Sequence, residues 1–397
     1  MRFCMGTVTV LCDRVADVGG AERYWETVLP ALAERSSSVR ILAREVSGGS
    51  PLAREARAIA WAGEDAPPSA DAAVAVRREL ERERPDVVVT ASVFDTAVLD
   101  AVRASAPRWV VRIHDHRAFC PTGDRVYPQF EAPCVARMGT ACRTGTVVRG
   151  CVRGPRPSSF RRIAARESLR DRIAAADGVL VSSEHMRATC TANGIRRERI
   201  AVTPPPLPDA AFAEQPAQRP SRPTLLFASR LTPRKGLGSL LGALARIPES
   251  ERPLLLVAGE GADEERDARA RAARDRIDVA WLGKLDAEGL RDAMDRADAV
   301  AVPSLWPEPF GLVGIEAQAR GRPAVAYRVG GIDDWIEGAG IAVRRGDEAA
   351  LARAIRAILL HHTWHTLAST ARARAETYRL GAHVDRLVHI LGGETTE

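Results

Sequence analysis

Short apolar, β-branched runs alternate along the chain with longer stretches whose apolar positions recur at helical spacing. The runs Val8–Leu11, Val39–Leu42, Val87–Thr90, Trp109–Ile113, Val179–Ser182 and Ile200–Thr203 predict strands, and Ala21–Arg35 and Ala70–Arg84 predict helices between them. A proline-dense tract, "TPPPLPDAAFAEQPAQRPSRP" at 203–223, then breaks the pattern and reads as a linker. Beyond it the alternation restarts. Strands are expected at Leu225–Ala228, Leu254–Ala258, Val279–Leu282, Ala299–Val302, Ala324–Tyr327 and Ile341–Val343, with helices at Leu237–Arg246, Ala287–Arg296 and Glu348–Leu359. Alternation on both sides of a break implies two doubly wound α/β domains with parallel sheets. The expected division is 1–205, a linker at 206–223, 224–375, and a C-terminal helix in 376–397 packing back toward the first domain. Ligands of such sheets bind at the carboxyl ends of strands, and the cleft between the domains is the expected active site.

Composition narrows the class. A length of 397 residues exceeds one ordinary core, and 46% hydrophobic with 27% charged residues is the balance of a soluble globular protein. No apolar run reaches the roughly 18 residues of a membrane span. Asp13 and Arg14 interrupt the N-terminal apolar stretch and no small-residue cleavage site follows, so no signal peptide is read and a cytoplasmic location is expected. The net charge is +6, but only Lys235 and Lys284 are lysines. An Arg skew with abundant Ala reads as coding bias, so the basic balance does not point to nucleic acid. It does draw attention to the lysines that survive, because Arg's planar fork replaces a compact ammonium poorly. Ten arginines from Arg137 to Arg172 face only Glu167 and Asp171. They read either as a solvated helix face or as an electropositive patch for an anionic acceptor or lipid, which would add a peripheral contact at the inner membrane face.

Chemistry concentrates in loops after strands. In "LLFASRLTPRKGLGSLL", Arg230 and Lys235 precede a helix starting near Gly236, which makes an anion site or an ordinary basic loop. The Walker frame is absent. In "SLWPEPFGLVGIEAQARG", Pro309 suits a first helical turn, so the amides of Phe310, Gly311, Leu312 and Val313 are expected without intrahelical partners. Glu308 lies just ahead of that turn and Glu316 about two turns in. Their separation suits acceptors for hydroxyl pairs, such as sugar or ribose diols, better than an acid/base couple. Gly330 and Gly331 in "VGGIDDWIEGAG" permit close backbone approach. In the first half, Gly19 and Gly20 lie before the first helix, and His114 ends a strand in "HDHRAFCP", a candidate pocket histidine.

Together these residues resemble glycosyltransferase family 4, the retaining transferases of GT-B fold, across nearly the whole chain and most strongly from 224 to 345. Glu308 and Glu316 match the family's Glu-x7-Glu, Arg230 and Lys235 its diphosphate-binding pair, and "VGGAE" its N-terminal glycine loop. The resemblance implies two Rossmann-like domains and transfer of a sugar from a nucleoside-diphosphate sugar to an acceptor hydroxyl, on a glycan, a lipid-linked sugar or a small natural product. It also implies roles. Glu308 would touch the donor sugar's hydroxyls and Glu316 would hold the ribose. Phe310, Gly311 and Leu312 would supply amides, and Arg230 and Lys235 would neutralise the diphosphate. His114 would lie beside the donor sugar, Lys284 near the base, and Gly19 and Gly20 along the donor. No catalytic metal is implied, and no strict Asp-x-Asp is present to hold one. A silent sugar-nucleotide-binding scaffold or sensor, and a sugar-nucleotide epimerase of the same architecture, are the alternatives.

Cys120, Cys134, Cys142 and Cys151 cluster in an irregular insertion at about 116–155 and form no Cys-x2-Cys pair. A structural zinc, unpaired thiols and disulfides are the three readings. Cys4, Cys12 and Cys190 read as small core residues.

Overall fold

The computed structural model describes residues 5–15, 20–128, 132–214 and 218–393, so Cys4 and Gly19 lie outside the described residues. The chain divides into two compact units, Met1–Pro206 with Leu380–Glu397, and Leu207–Arg379.

The first unit is built on a seven-stranded sheet. Its strands are β1 (Met5–Val15), β2 (Ser36–Val46), β3 (Arg57–Ala58), β4 (Val87–Ala91), β5 (Trp109–Ile113), β8 (Gly178–Val181) and β9 (Ile200–Val202), with a separate antiparallel hairpin of β6 (Val126–Tyr127) and β7 (Ala132–Pro133). The sheet order is β3-β2-β1-β4-β5-β8-β9 and every pairing is parallel. A parallel sheet is covered on both faces, which is why β4 reads as an unbroken Val87-Val88-Val89 run rather than an alternation. Two cores result. Val10, Val89, Val110 and Leu180 point to one face, and Leu11, Val88, Val111 and Val179 to the other. The C-terminal helix Leu380–Leu391 covers the first face beside the helix Gly20–Ala33. Tyr24 Oη and His383 Nε2 are hydrogen-bonded at 2.9 Å between these helices, and Arg35 Nε donates to Asp385 at 2.7 Å.

The second unit holds six strands, β10 (Thr224–Ala228), β11 (Leu254–Ala258), β12 (Val279–Gly283), β13 (Ala299–Val302), β14 (Ala324–Arg328) and β15 (Gly340–Arg344), in the order β12-β11-β10-β13-β14-β15. These pairings are parallel too. The proline-dense tract contributes Leu207 and Ala211 to this core, and the Leu207 amide donates to the Tyr378 carbonyl at 2.7 Å.

In each unit the strand order reverses once, between β1 and β4 and between β10 and β13. At a reversal the two flanking loops diverge and leave a crevice beyond the strand ends.

Candidate active site

The reversal in the second unit brings together the loop after β10 and the loop after β13. The first passes through a tight turn, Pro233–Lys235, and Gly236 then takes φ +78°. Its lack of a side chain is required, because a Cβ there would lie 1.9 Å from the Pro303 carbonyl oxygen. That contact clamps one loop to the other, as does the Leu305 amide donating to the Arg234 carbonyl at 2.7 Å. The clamp sets Lys235 Nζ 2.6 Å from Glu308 Oε1, and the Ser304 hydroxyl donates to the same oxygen at 2.5 Å. Glu308 is buried, and the Trp306 ring lies 5.2 Å from the ammonium.

Behind this pair the loop after β14 closes in. Gly331 N–H donates to the Glu308 carbonyl at 2.7 Å. Gly330, at φ +64°, passes so near that a Cβ would sit 2.4 Å from the Glu308 nitrogen. The paired glycines of this loop thus hold the main chain of Glu308.

The helix behind Glu308 starts later than expected. It runs Leu312–Ala319 with Gly311 at the N-cap, φ +94°, and no side chain caps it. Pro309 therefore stands before the helix, and Glu316 is about one turn in rather than two. The Phe310 side chain is buried against Tyr378, and its carbonyl accepts from Trp335 Nε1 at 2.7 Å.

The other candidates fall in different places. Arg230 is exposed and makes no ion pair among the described residues. Lys284 follows β12, two strands or about 10 Å from β10. It lies 3.3 Å from Glu260 Oε1 and does not join the Lys235–Glu308 pair. Gly20 opens the first helix.

The reversal in the first unit carries its own pocket. Cys12, Asp13 and Arg14 of β1, Glu22 and Trp25 of the first helix, Ser92 after β4, and His114 and Arg117 after β5 line it. His114 and Arg112 face the same side of the sheet. Arg112 is buried with its guanidinium 4.3 Å from the Tyr24 ring centroid, and it donates to the Thr203 carbonyl at 3.0 Å. Burial first, then the Arg112 and Arg117 cations, hold His114 well below the ordinary imidazole range, so it is neutral. Its Nε2 has no partner among the described residues. Burial likewise raises the Glu22 carboxyl, with the Asp13 charge adding and Arg14 and Arg117 opposing. Asp13 is itself tied to Arg44 at 2.6 Å.

Two sequence expectations change. Cys120, Cys134, Cys142 and Cys151 are half-buried free thiols, which removes the disulfide reading. Burial, then neighbouring sulfurs, raise Cys142 and Cys151. No group of three or more His, Cys, Asp or Glu that could hold a metal ion is found among the described residues. The arginine patch is partly neutralised. Arg143 pairs with Glu167, Arg162 with Asp65, Arg166 with Glu64, Arg170 with Asp171 and Arg172 with Asp100. No helix among the described residues is long and apolar enough to cross a membrane.

Ser304 and Trp306 escaped the sequence reading although they flank Glu308, as did Asp13, Glu22 and Arg117. Nothing in their spacing separates them from ordinary loop residues.

Comparison with known proteins agrees with this architecture. The family described as "Glycosyl transferase 4-like domain" matches residues 19–206, and that described as "Glycosyl transferases group 1" matches 209–376. A structure of Anabaena Alr3699/HepE in complex with UDP superposes with a TM-score of 0.73 at 19% identity, over 97% of this chain and 99% of that one. WaaG, a glycosyltransferase involved in lipopolysaccharide biosynthesis, gives 0.67 at 18%, over 97% and 100%. Two doubly wound parallel units of this kind define the GT-B class of fold. Within that class, the chain belongs to glycosyltransferase family 4. The D-inositol 3-phosphate glycosyltransferase of Xylanimonas cellulosilytica is 29% identical over 92% of this chain and 89% of that protein. The glycogen synthase of Mycobacterium tuberculosis is 34% identical over 177 residues, and the match spans 44% of this chain but only 41% of that protein.

Proposed function

We propose that the chain transfers a sugar from a nucleoside-diphosphate sugar to an acceptor hydroxyl, with retention at the anomeric carbon and without a metal clamp. The observation that carries this reading is the Lys235–Glu308 pair at the β10/β13 reversal. A phosphate-seeking ammonium and a hydroxyl-seeking carboxylate neutralise one another at the place where a parallel sheet receives a ligand. A donor satisfies both at once. Its diphosphate takes Lys235, and its sugar hydroxyls donate to the Glu308 oxygen that the ammonium releases. Arg230, exposed and without an ion pair among the described residues, adds a second positive charge, and the helix start at Gly311 and Leu312, which no side chain caps, adds a dipole. Glu316 accepts from the ribose.

Departure of the nucleoside diphosphate leaves negative charge on phosphate while the anomeric carbon turns cationic. Positive groups fixed in advance at the leaving phosphate stabilise that charge separation without a metal ion. Attack of the acceptor hydroxyl on the face the phosphate leaves gives retention, with the phosphate taking the proton. The pocket of the first unit is assigned to the acceptor, with neutral His114 offering Nε2 there. UDP is the first nucleotide to try, because the HepE structure holds it.

The test is turnover. Purified protein with radiolabelled UDP-, GDP-, ADP- and dTDP-sugars, a mixture of glycan, lipid-linked and small hydroxylated acceptors, and chelator should release the nucleoside diphosphate with one series as the label passes to an acceptor hydroxyl. Binding without release would favour the sensor reading, and interconversion of the free sugar nucleotides the epimerase. Glu316→Ala should lose nucleotide affinity, whereas Glu308→Ala should mainly lose turnover.

A further inference from the structure

We infer that His361 and His365 form a chelating site for a borderline divalent transition metal, of which Ni²⁺, Zn²⁺ and Cu²⁺ are the fitting ions. Both lie on the helix His361–Ala375, four residues apart, so they share one face about one turn apart. Both side chains are exposed. Their Nε2 atoms are 3.1 Å apart and their ring centroids 4.3 Å. A metal bound at the usual ~2.0–2.1 Å from each nitrogen would subtend roughly 95–102° between them, midway between the tetrahedral and the square or octahedral cis angle. The spacing of the two nitrogens therefore already suits one metal ion, which the rings reach by turning about their side-chain bonds once their mutual hydrogen bond is given up.

In the metal-free chain the rings share a hydrogen bond, so one Nε2 carries a proton that the metal replaces. His365 is braced from behind. Trp364 is buried, its Nε1 donates to the Asp298 carbonyl at 2.7 Å, and its ring meets the His365 ring edge-on at 5.0 Å. Such backing limits the freedom the His365 imidazole loses on binding, which favours the chelate over scattered surface histidines. His362 points about 100° away around the helix and takes no part. With no third protein group converging among the described residues, water fills the remaining positions and the site stays open. Two neutral imidazoles suit Cu²⁺, Ni²⁺ and Zn²⁺ and select against Mg²⁺ and Ca²⁺. The helix also packs against Leu312–Ala319, the helix that carries Glu316.

Calorimetric titration of the full chain with NiCl₂ and with ZnCl₂ tests this. The expected result is a saturable site that His361→Ala or His365→Ala weakens at least ~10-fold, while His362→Ala and His389→Ala leave it unchanged. Co²⁺ should bind with ligand-field bands only and no thiolate charge-transfer band. Unchanged Ni²⁺ binding by the His361→Ala/His365→Ala double variant overturns the inference. So does binding that survives in that variant but is lost on alkylating the half-buried thiols, which would place the metal on the cysteines. Both histidines are exposed, so matching melting curves in chelator will verify that the variants fold.

Discussion

The Lys235 ammonium lies 2.6 Å from the Glu308 carboxylate, and the two come from loops 73 residues apart in sequence. Neither group has any use for the other in building the sheet. If the pair opens on donor binding, its members separate by function. Lys235→Ala removes a charge-assisted contact to the diphosphate and should weaken nucleoside-diphosphate binding about 10- to 100-fold, the equivalent of roughly 1.5–3 kcal/mol. Glu308→Gln releases Lys235 from its partner and should leave that binding equal or tighter while turnover falls. Calorimetry with the nucleoside diphosphate and turnover of the matching sugar donor read the two effects. Equal loss of affinity in both variants would mean that the pair only holds the loops together.

Gly330 makes a sharper demand on the same loops. A Cβ at this position would meet the Glu308 backbone at 2.2 Å to oxygen and 2.4 Å to nitrogen, atoms with no freedom to yield. Gly346 has a similar backbone, φ +75°, with nothing within 4 Å. Gly346→Ala should therefore cost only the left-handed backbone strain, about 1–2 kcal/mol. Gly330→Ala adds displacement of Glu308 and should lose donor binding as well as about 1–3 kcal/mol more stability. Denaturant melts and nucleotide titrations of the two variants separate strain from displacement.

The fold was legible because a buried parallel strand must be apolar on both faces. Runs such as Leu254–Ala258 and Ala299–Val302 announce both existence and limits, and the strands found there have those same limits. β1 and β2 are longer than their apolar runs, Met5–Val15 and Ser36–Val46, because backbone pairing continues through polar residues such as Asp13 and Arg44. The start of the helix before Glu316 was misplaced for a local reason. Pro309 is compatible with a first helical turn, but Gly311 takes φ +94° and resets the chain, so the helix opens at Leu312. Glu308 and Lys235 were legible as residues, not as partners. Their contact depends on Gly236 and Gly330 letting backbones approach, and close approach leaves only a glycine in the sequence. The arginine patch misled for the opposite reason. Glu64, Asp65 and Asp100, which neutralise part of it, come from segments far away in the chain.

Three histidines set the acid limit of the first unit. Burial, aided by nearby arginines, lowers His114 well below the ordinary range, His185 to about 4 and His383 to about 3. In the unfolded chain each titrates near 6.5. Between that value and its folded value the unfolded state binds a proton that the native state refuses, so stability falls as pH falls through this window. The slope is about 1.4 kcal/mol per pH unit for each histidine. Urea melts from pH 7.5 to 5 should show the midpoint flat above pH 7 and dropping below 6.5. His383→Asn should flatten the drop by about one proton's share. A midpoint unchanged between pH 7 and 5 would show that these rings are not held neutral.

Exposed apolar groups and unspent charge coincide on the insertion that follows His114. Val135, Val147 and Val148 are 82%, 50% and 71% exposed. Arg137, Arg153, Arg156 and Arg161 are exposed beside them in sequence, outside the ion pairs that consume the rest of the patch among the described residues. Valines that insert among headgroups and arginines that meet anionic lipid act together at a bilayer surface, where each cation contributes about 1 kcal/mol. Sedimentation with vesicles containing phosphatidylglycerol or phosphatidylserine should therefore recover the protein, with recovery falling as salt rises from 0.05 to about 0.5 M because screening shortens the reach of surface charge. Val147→Ser/Val148→Ser should release it at every salt concentration, and Arg153→Gln/Arg156→Gln chiefly at low salt. Equal recovery on neutral phosphatidylcholine vesicles would mean that the arginines take no part in membrane contact, leaving them to solvent or to an anionic acceptor.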